Sequence, residues 1–279
     1  KTLREDSRTT GDRAFIAVCM GRDAGFLSLG IAHETDCFVM LPEEAESFDM
    51  KLVIDTIVGS LLKGQALAEK TPLSIHDRGA VVLVAEGVIS RIAGIAELVK
   101  TSFPMVGGIV LDEYGNIRLA KIPSQNLLEW GVINRFKELG VPQALKATGR
   151  KLDIISEKVG FGLRCAAPCE EDVIFTSALG EAAARFALEG ATEIMVVPTS
   201  QGIRAMPFDE LLDSAGKTHT RTVNLTSQKF QTLLRHRLLP EDLASGLVSD
   251  IAAFTSLSPE ALGKELRAAA EFSARHYLQ

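Results

Sequence analysis

Hydrophobic residues follow two rhythms along this chain. Continuous apolar runs stand at residues 15–20, 38–41 and 80–85. A strand that is apolar on both faces belongs in a parallel sheet covered by helices on either side. Between these runs the period changes to three or four residues. Residues 24–34 predict a short helix and 49–70 a long one, with Leu52, Val53, Ile54, Ile57, Val58, Leu61 and Leu62 along its buried stripe. Further helices are predicted over 89–100 and 126–139, the second stopped by Gly140. Residues 108–112 and 114–119 read as a hairpin turning at Gly115-Asn116. Residues 154–163 are strand-like and broken by Gly160 and Gly162. The alternation of strand and helix predicts an α/β fold, a three-layer arrangement around a doubly wound, mostly parallel sheet.

Past Pro168 the pattern predicts a helix over 172–188, with Phe175, Leu179, Ala183 and Phe186 on one face. A strand over 193–197 follows, then a loop through Gly202 to Met206-Pro207-Phe208, then a short strand over 220–225. Residues 227–278 read as helices begun at Pro240 and Pro259. The expected division is an α/β domain over 1–164, a departing segment over 165–215 and a mainly helical C-terminal extension over 216–279. Residues 1–12 are polar and read as a helix end and a loop stopped by Gly11. The opening Lys1-Thr2-Leu3-Arg4-Glu5 has no methionine and the character of mid-helix. An N-terminal part of the parent protein is therefore expected to precede it.

Composition narrows the function classes. The apolar fraction is 46%, enough for a substantial interior, and the net charge is −6. With no basic stripe, a nucleic-acid partner is not expected. An anionic small molecule needs only local arginines. The four cysteines, Cys19, Cys37, Cys165 and Cys169, contain no C-x-x-C pair and no zinc-type spacing, so free buried thiols and no metal site are expected. That usage fits a reducing, cytoplasmic compartment. No signal peptide is recognisable. No apolar run reaches the roughly 18–20 residues of a membrane helix, and no membrane partner is expected.

Ligands of open α/β sheets bind outside the carboxyl ends of the strands. Three features fall there: Met20-Gly21-Arg22, Glu86-Gly87, and Phe161-Gly162-Leu163-Arg164. Arg13 lies at the other end of the first strand. A glycine turn into a helix N-terminus, with a guanidinium beside it, makes a seat for a phosphate. Each feature also has a plain structural reading: a strand–helix connection, a solvated acid or cap, an arginine bridging to a helix. The histidines are scattered and form no nucleophilic triad. Arg235-His236-Arg237 reads as cationic charge capping a helix C-terminus.

Taken together, these residues resemble a known family. Cys19-Met20-Gly21-Arg22-Asp23-Ala24-Gly25-Phe26-Leu27 is similar to the MGR-x-AG-x-L turn of 6-phosphofructokinases. Val84-Ala85-Glu86-Gly87 resembles that family's strand ending in Glu-Gly. Gly160-Phe161-Gly162-Leu163-Arg164-Cys165-Ala166-Ala167-Pro168 resembles the G-Y-E-L-R-C-A-x-P segment of a branch that includes pyrophosphate-dependent members. Stretches 112–119 and 206–213 strengthen that branch, and the resemblance runs from about Arg13 to Leu239.

The resemblance implies a phosphofructokinase-like fold and phosphoryl transfer to fructose 6-phosphate in glycolysis, giving fructose 1,6-bisphosphate. It implies pyrophosphate as donor, ATP being the alternative, and Mg²⁺ bound by ligands outside this chain. The sugar phosphate would be held by Met20, Gly21, Arg22, Glu86 and Arg164, with Phe161 at a position where Tyr or His usually contacts it. Arg22 would also face the transferring phosphoryl group and stabilise its charge. Arg13 would reach the sugar phosphate of a neighbouring subunit, which implies a homo-oligomer. The family's GGD donor motif and its T-I-D-N-D segment, which carries the catalytic base, have no counterpart here. They are expected N-terminal to Lys1, in a domain that 165–215 would pass back to complete. This chain alone is then expected to be inactive, with the apolar face of its 172–188 helix partly exposed. Departures at Ala17, Phe161 and Gly162 motivate a second reading, a catalytically impaired regulatory subunit that binds a sugar phosphate.

Overall fold

The computed structural model describes residues 2–21, 24–70, 80–102, 123–160, 162, 165–199, 201–212 and 221–277. It divides into two compact units, Lys1–Gly160 with Thr222–Gln279, and Phe161–Arg221.

In the first unit four parallel strands form one sheet: β1 (Arg13–Cys19), β2 (Phe38–Met40), β3 (Ala80–Ala85) and β4 (Asp153–Val159), in the order β2-β3-β1-β4. The helices are α1 (Thr2–Thr10), α2 (Phe26–Thr35), α3 (Met50–Lys70), α4 (Glu86–Ser90), α5 (Ile95–Ser102), α6 (Ser124–Glu138) and α7 (Val141–Ala147). After the second unit's α8 (Glu170–Leu188) come α9 (Gln228–Leu233), α10 (Pro240–Ala244), α11 (Leu247–Ala252) and α12 (Pro259–Ala274).

The central strand β1 explains the layering. Its residues Ala14 to Cys19 are all buried, because both faces are covered. Ala14, Ile16 and Val18 enter a core with Ile57 and Leu61 of α3, Leu128 of α6 and Leu266 of α12. Ala17 and Cys19 enter a smaller core on the other face, with Leu29 of α2 and Phe230 of α9. The period of two in β1 thus feeds two helical layers, as the apolar run predicts.

Residues 222–279 do not stand apart from this unit, since they contribute to both cores. They are fastened there by Arg237, which is 1% exposed. Its guanidinium grips Glu44 with two bonds of 2.6 and 2.7 Å, donates to the Val39 carbonyl, and lies over the rings of Phe38 and Phe230. Lys63 donates to the Arg237 carbonyl at 2.9 Å and pairs with Asp242 at 2.7 Å. Arg237 is therefore a buried clasp and not the solvated cap charge that the sequence predicts. Arg235 and His236 do serve a helix end: both bond Asp36, the left-handed C-cap of α2 at φ 49°.

Two further expectations change. The single helix over 89–100 is two, α4 and α5, separated by a turn with Gly94 at φ 67°. The turn is held by Phe48, whose N–H and C=O bond Arg91 and Ala93 at 2.9 Å each. Residues 221–225 form no strand; the Val223 N–H donates to Glu43 Oε1 at 2.8 Å instead. Helix α7 follows directly on Gly140, which turns the chain at φ 73°. The hairpin expected at 108–119 lies outside the described residues.

The second unit holds α8 and an antiparallel hairpin, β5 (Ile194–Thr199) with β6 (Gly202–Pro207). Strand β6 occupies what reads in sequence as a loop, because Gly202 and Pro207 at its two ends disguise the run between them. On α8, Val173, Ile174 and Phe175 are exposed.

Candidate sugar-phosphate site

The sheet register assembles the site edge. Cys19 pairs with Ala85 on one side and with Val159 on the other. One residue further, Met20, Glu86 and Gly160 stand together at the carboxyl edge, with β1 in the middle. The Met20 N–H donates to the Val159 carbonyl at 3.0 Å, so the ladder continues to the mouth of the turn. A Cβ on Gly160 would come within 3.3 Å of Met20 Cβ and Sδ, which makes glycine the residue that lets the two chain ends lie so close.

The glycines of the turn have separate physical reasons. Gly21 has φ 147°, in the region that disfavours side chains. Gly25 faces β2's end: a Cβ there would lie 2.6 Å from Leu41 Cδ2. Its N–H donates to Glu43 Oε1 at 2.9 Å, and the same oxygen accepts the Val223 N–H. This donor of the turn is therefore satisfied internally by a carboxylate, and the phosphate seat read from the sequence loses one N–H. Glu43 escapes sequence reasoning because it looks like one more residue of an acidic loop.

Glu86 opens α4 and is largely buried, its side chain 14% exposed. Its Oε1 accepts from Lys158 Nζ at 3.2 Å. Lys158 sits on β4 beside Val18, so the pair spans the central strand. The sequence signal for it was a lysine next to last in a half-apolar strand, which does not distinguish a solvated residue from a paired one. Nearby, burial pushes the Cys19 thiol up, and the charge of Glu86 adds to that. Burial likewise raises Cys37. Both stay protonated as inert core thiols. Cys165 and Cys169 are free but exposed, which corrects the expectation of four buried thiols.

Arg13 is not brought to this edge. It begins β1 and pairs with Asp6 at 3.0 Å. Six residue steps along the strand separate it from Cys19, about 20 Å at the usual rise. Arg22, Phe161 and Arg164 lie outside the described residues. Among the described residues no group of three His, Cys, Asp or Glu side chains could hold a metal ion, and no helix is long and apolar enough to cross a membrane. The arrangement offers a buried, lysine-paired carboxylate and a glycine turn on one sheet edge, suited to accepting hydroxyl hydrogen bonds from a polyol.

No model of a known protein family matches the chain. It is 29% identical over 251 residues to a pyrophosphate–fructose 6-phosphate 1-phosphotransferase of Thermotoga maritima, covering 86% of this chain and 54% of that protein. It is 30% identical over 242 residues to an enzyme of the same name from Naegleria fowleri, covering 82% of this chain and 50% of that one. The chain thus spans about half the length of these curated relatives. Among solved structures, phosphofructokinase of Saccharomyces cerevisiae aligns with 94% of this chain and 26% of its own, at 17% identity and a TM-score of 0.44. Over more than four fifths of its own length the chain is thus similar in sequence to proteins named as pyrophosphate–fructose 6-phosphate 1-phosphotransferases.

Proposed function

We propose that this chain is the fructose 6-phosphate-binding part of a phosphofructokinase whose donor is pyrophosphate. The observation that carries the reading is the register that sets Met20-Gly21, Glu86 and Gly160 on one sheet edge, in a chain related to proteins of that name. In this reading the Glu86 carboxylate accepts hydroxyl hydrogen bonds from the sugar. Arg164 and Arg22 present guanidinium forks to phosphate, a geometry that suits bidentate binding. Arg22 also faces the phosphoryl group in transit, where positioning and charge neutralisation supply most of the catalysis. Phe161 stands in sequence where a Tyr or His usually contacts the substrate, so that hydrogen bond to the phosphate would be lost.

The family's donor loop and base have no counterpart in this chain, which spans about half the length of its relatives, so in this reading it binds substrate without transferring phosphate. Mg²⁺, which would neutralise donor charge when bound, would take its ligands from outside this chain. Arg13 lies too far from its own Glu86 edge to share a ligand with it, and its role is toward the sugar phosphate of a second copy. The full protein is then a cytoplasmic, homo-oligomeric glycolytic enzyme. The names of the relatives favour pyrophosphate over ATP. The regulatory-subunit reading rests on Phe161 and Gly162, and robust turnover by the full-length protein alone would remove it.

Thermal unfolding with and without fructose 6-phosphate tests the core claim. Ligand at about 100 times its Kd stabilises by about 2.7 kcal/mol, or about 5–11 °C for a unit of this size. The shift should vanish in Arg164→Ala. An unshifted wild-type midpoint at saturating sugar phosphate would refute the reading.

A further inference from the structure

We infer that Lys158 is a positioning residue for Glu86, holding one carboxylate oxygen so that the other is presented to the sugar; this rests on the fructose 6-phosphate reading above. Lys158 is on β4 and Glu86 follows β3, the two strands that flank β1. Adjacent strands lie about 4.8 Å apart, so the two backbones are separated by about two such spacings, and only a side chain as long as lysine's closes the gap. Lys158 is in register with Val18, one residue before the carboxyl end of β1 at Cys19. Its ammonium meets Glu86 Oε1 at 3.2 Å, with the side chains 28% and 14% exposed. Among the described residues, Glu86 Oε2 accepts no hydrogen bond, and it is not closed off as a buried, unpartnered atom.

The arrangement has a chemical consequence. A carboxylate this little exposed, at the edge where a phosphate dianion is to be seated, faces both a desolvation cost and like-charge repulsion. The lysine offsets both, and it does so from the strand opposite, where it leaves the front of the carboxylate open. Lysine's length also fixes the rotamer of Glu86, since the ammonium reaches one oxygen from across the sheet. Sugar recognition is thereby tied to β4, the same strand that leads into Gly160 and the arginine segment after it.

The test is calorimetric titration of this chain with fructose 6-phosphate, and with inorganic phosphate as a second probe. Lys158→Met is expected to weaken fructose 6-phosphate binding about tenfold, the worth of one hydrogen bond to a charged group. Lys158→Arg should restore most of it. In a Glu86→Gln background, Lys158→Met should cost less than about twofold more, because the two residues act as one unit. Binding of inorganic phosphate should not change in any of these variants. The doubly neutral Glu86→Gln, Lys158→Met chain also guards against a single variant that fails to fold, since it removes both charges of the pair together. Unchanged sugar-phosphate affinity in Lys158→Met overturns the inference while leaving the functional reading intact. Equal weakening of phosphate and fructose 6-phosphate overturns it in favour of a direct phosphate contact. A wild-type chain that binds neither probe overturns the functional reading itself and this inference with it.

Discussion

Arg237→Ala offers the sharpest probe of what holds the C-terminal helices to the sheet. The arginine is 1% exposed, and the side chain of its partner Glu44 is wholly buried. The substitution removes both bonds to Glu44, the bond to the Val39 carbonyl and the guanidinium packed over Phe38 and Phe230. Glu44 keeps one bond, from the Leu41 N–H at 2.6 Å. Truncating one partner of a buried pair costs about 3–5 kcal/mol, since the other charge is left uncompensated. The unit that must unfold has about 220 residues. For a domain of that size each kcal/mol moves the midpoint by about 2–4 °C, so a fall of about 6–20 °C is expected. Thermal unfolding followed by far-UV circular dichroism reads it directly. Arg237→Met combined with Glu44→Gln isolates the cause: it keeps most of the volume and removes both charges, and should recover much of the loss. A single-variant drop under about 3 °C, or a double variant as damaging as the two singles added together, would refute the reasoning.

Two other expectations follow from local geometry. Gly140→Ala should destabilise by about 2–4 kcal/mol in a denaturant titration: the residue has φ 73°, and its new Cβ would overlap Ser256 Oγ and lie 2.5 Å from Ser256 Cβ. A variant within about 0.5 kcal/mol of wild type would show that the Ser256 turn yields freely. At Asp36, burial pushes the carboxyl up, but hydrogen bonds from His236 and Arg235 outweigh it and hold it below its ordinary value. A depressed carboxyl adds stability that is fully present above the unfolded value of about 3.9 and is lost as the pH falls through the native one. Asp36→Asn, which suits the left-handed cap, should therefore lower stability at pH 7 by about 0.5–1 kcal/mol. The two unfolding curves should converge as the pH drops below about 4. A difference that stays constant down to pH 3 would count against the ion pairs as its source.

Much of the sheet was legible because covered parallel strands must be apolar on both faces, and few other structures ask for that. The runs at 15–20, 38–41 and 80–85 correspond to β1, β2 and β3 within a residue or two. The long stripe at 49–70 corresponds to α3. Strand β6 was hidden by its terminal glycine and proline, and the break between α4 and α5 by a tertiary cause, the bridge to Phe48. At the candidate site, the glycine turn and Glu86 carry local signals: an unusual φ, a tight contact, an acid at a strand end. Lys158 and Glu43 carry none, because their meaning lies in partners far along the chain.

The sequence by itself determined the types of most elements of the first unit, the two-sided burial of the central strands and the residues at their carboxyl ends. These depend on periodicity and backbone conformation, which are properties of neighbours in the chain. Tertiary structure decided the strand order β2-β3-β1-β4, and with it which ends become neighbours. It put Lys158 across β1 from Glu86, 72 positions away, and drew Arg237 into the interior against Glu44, 193 positions away. A charge on a side chain is a local fact. Whether that charge is solvated, buried or paired depends on the fold, because desolvation and Coulomb attraction are both set by what surrounds it.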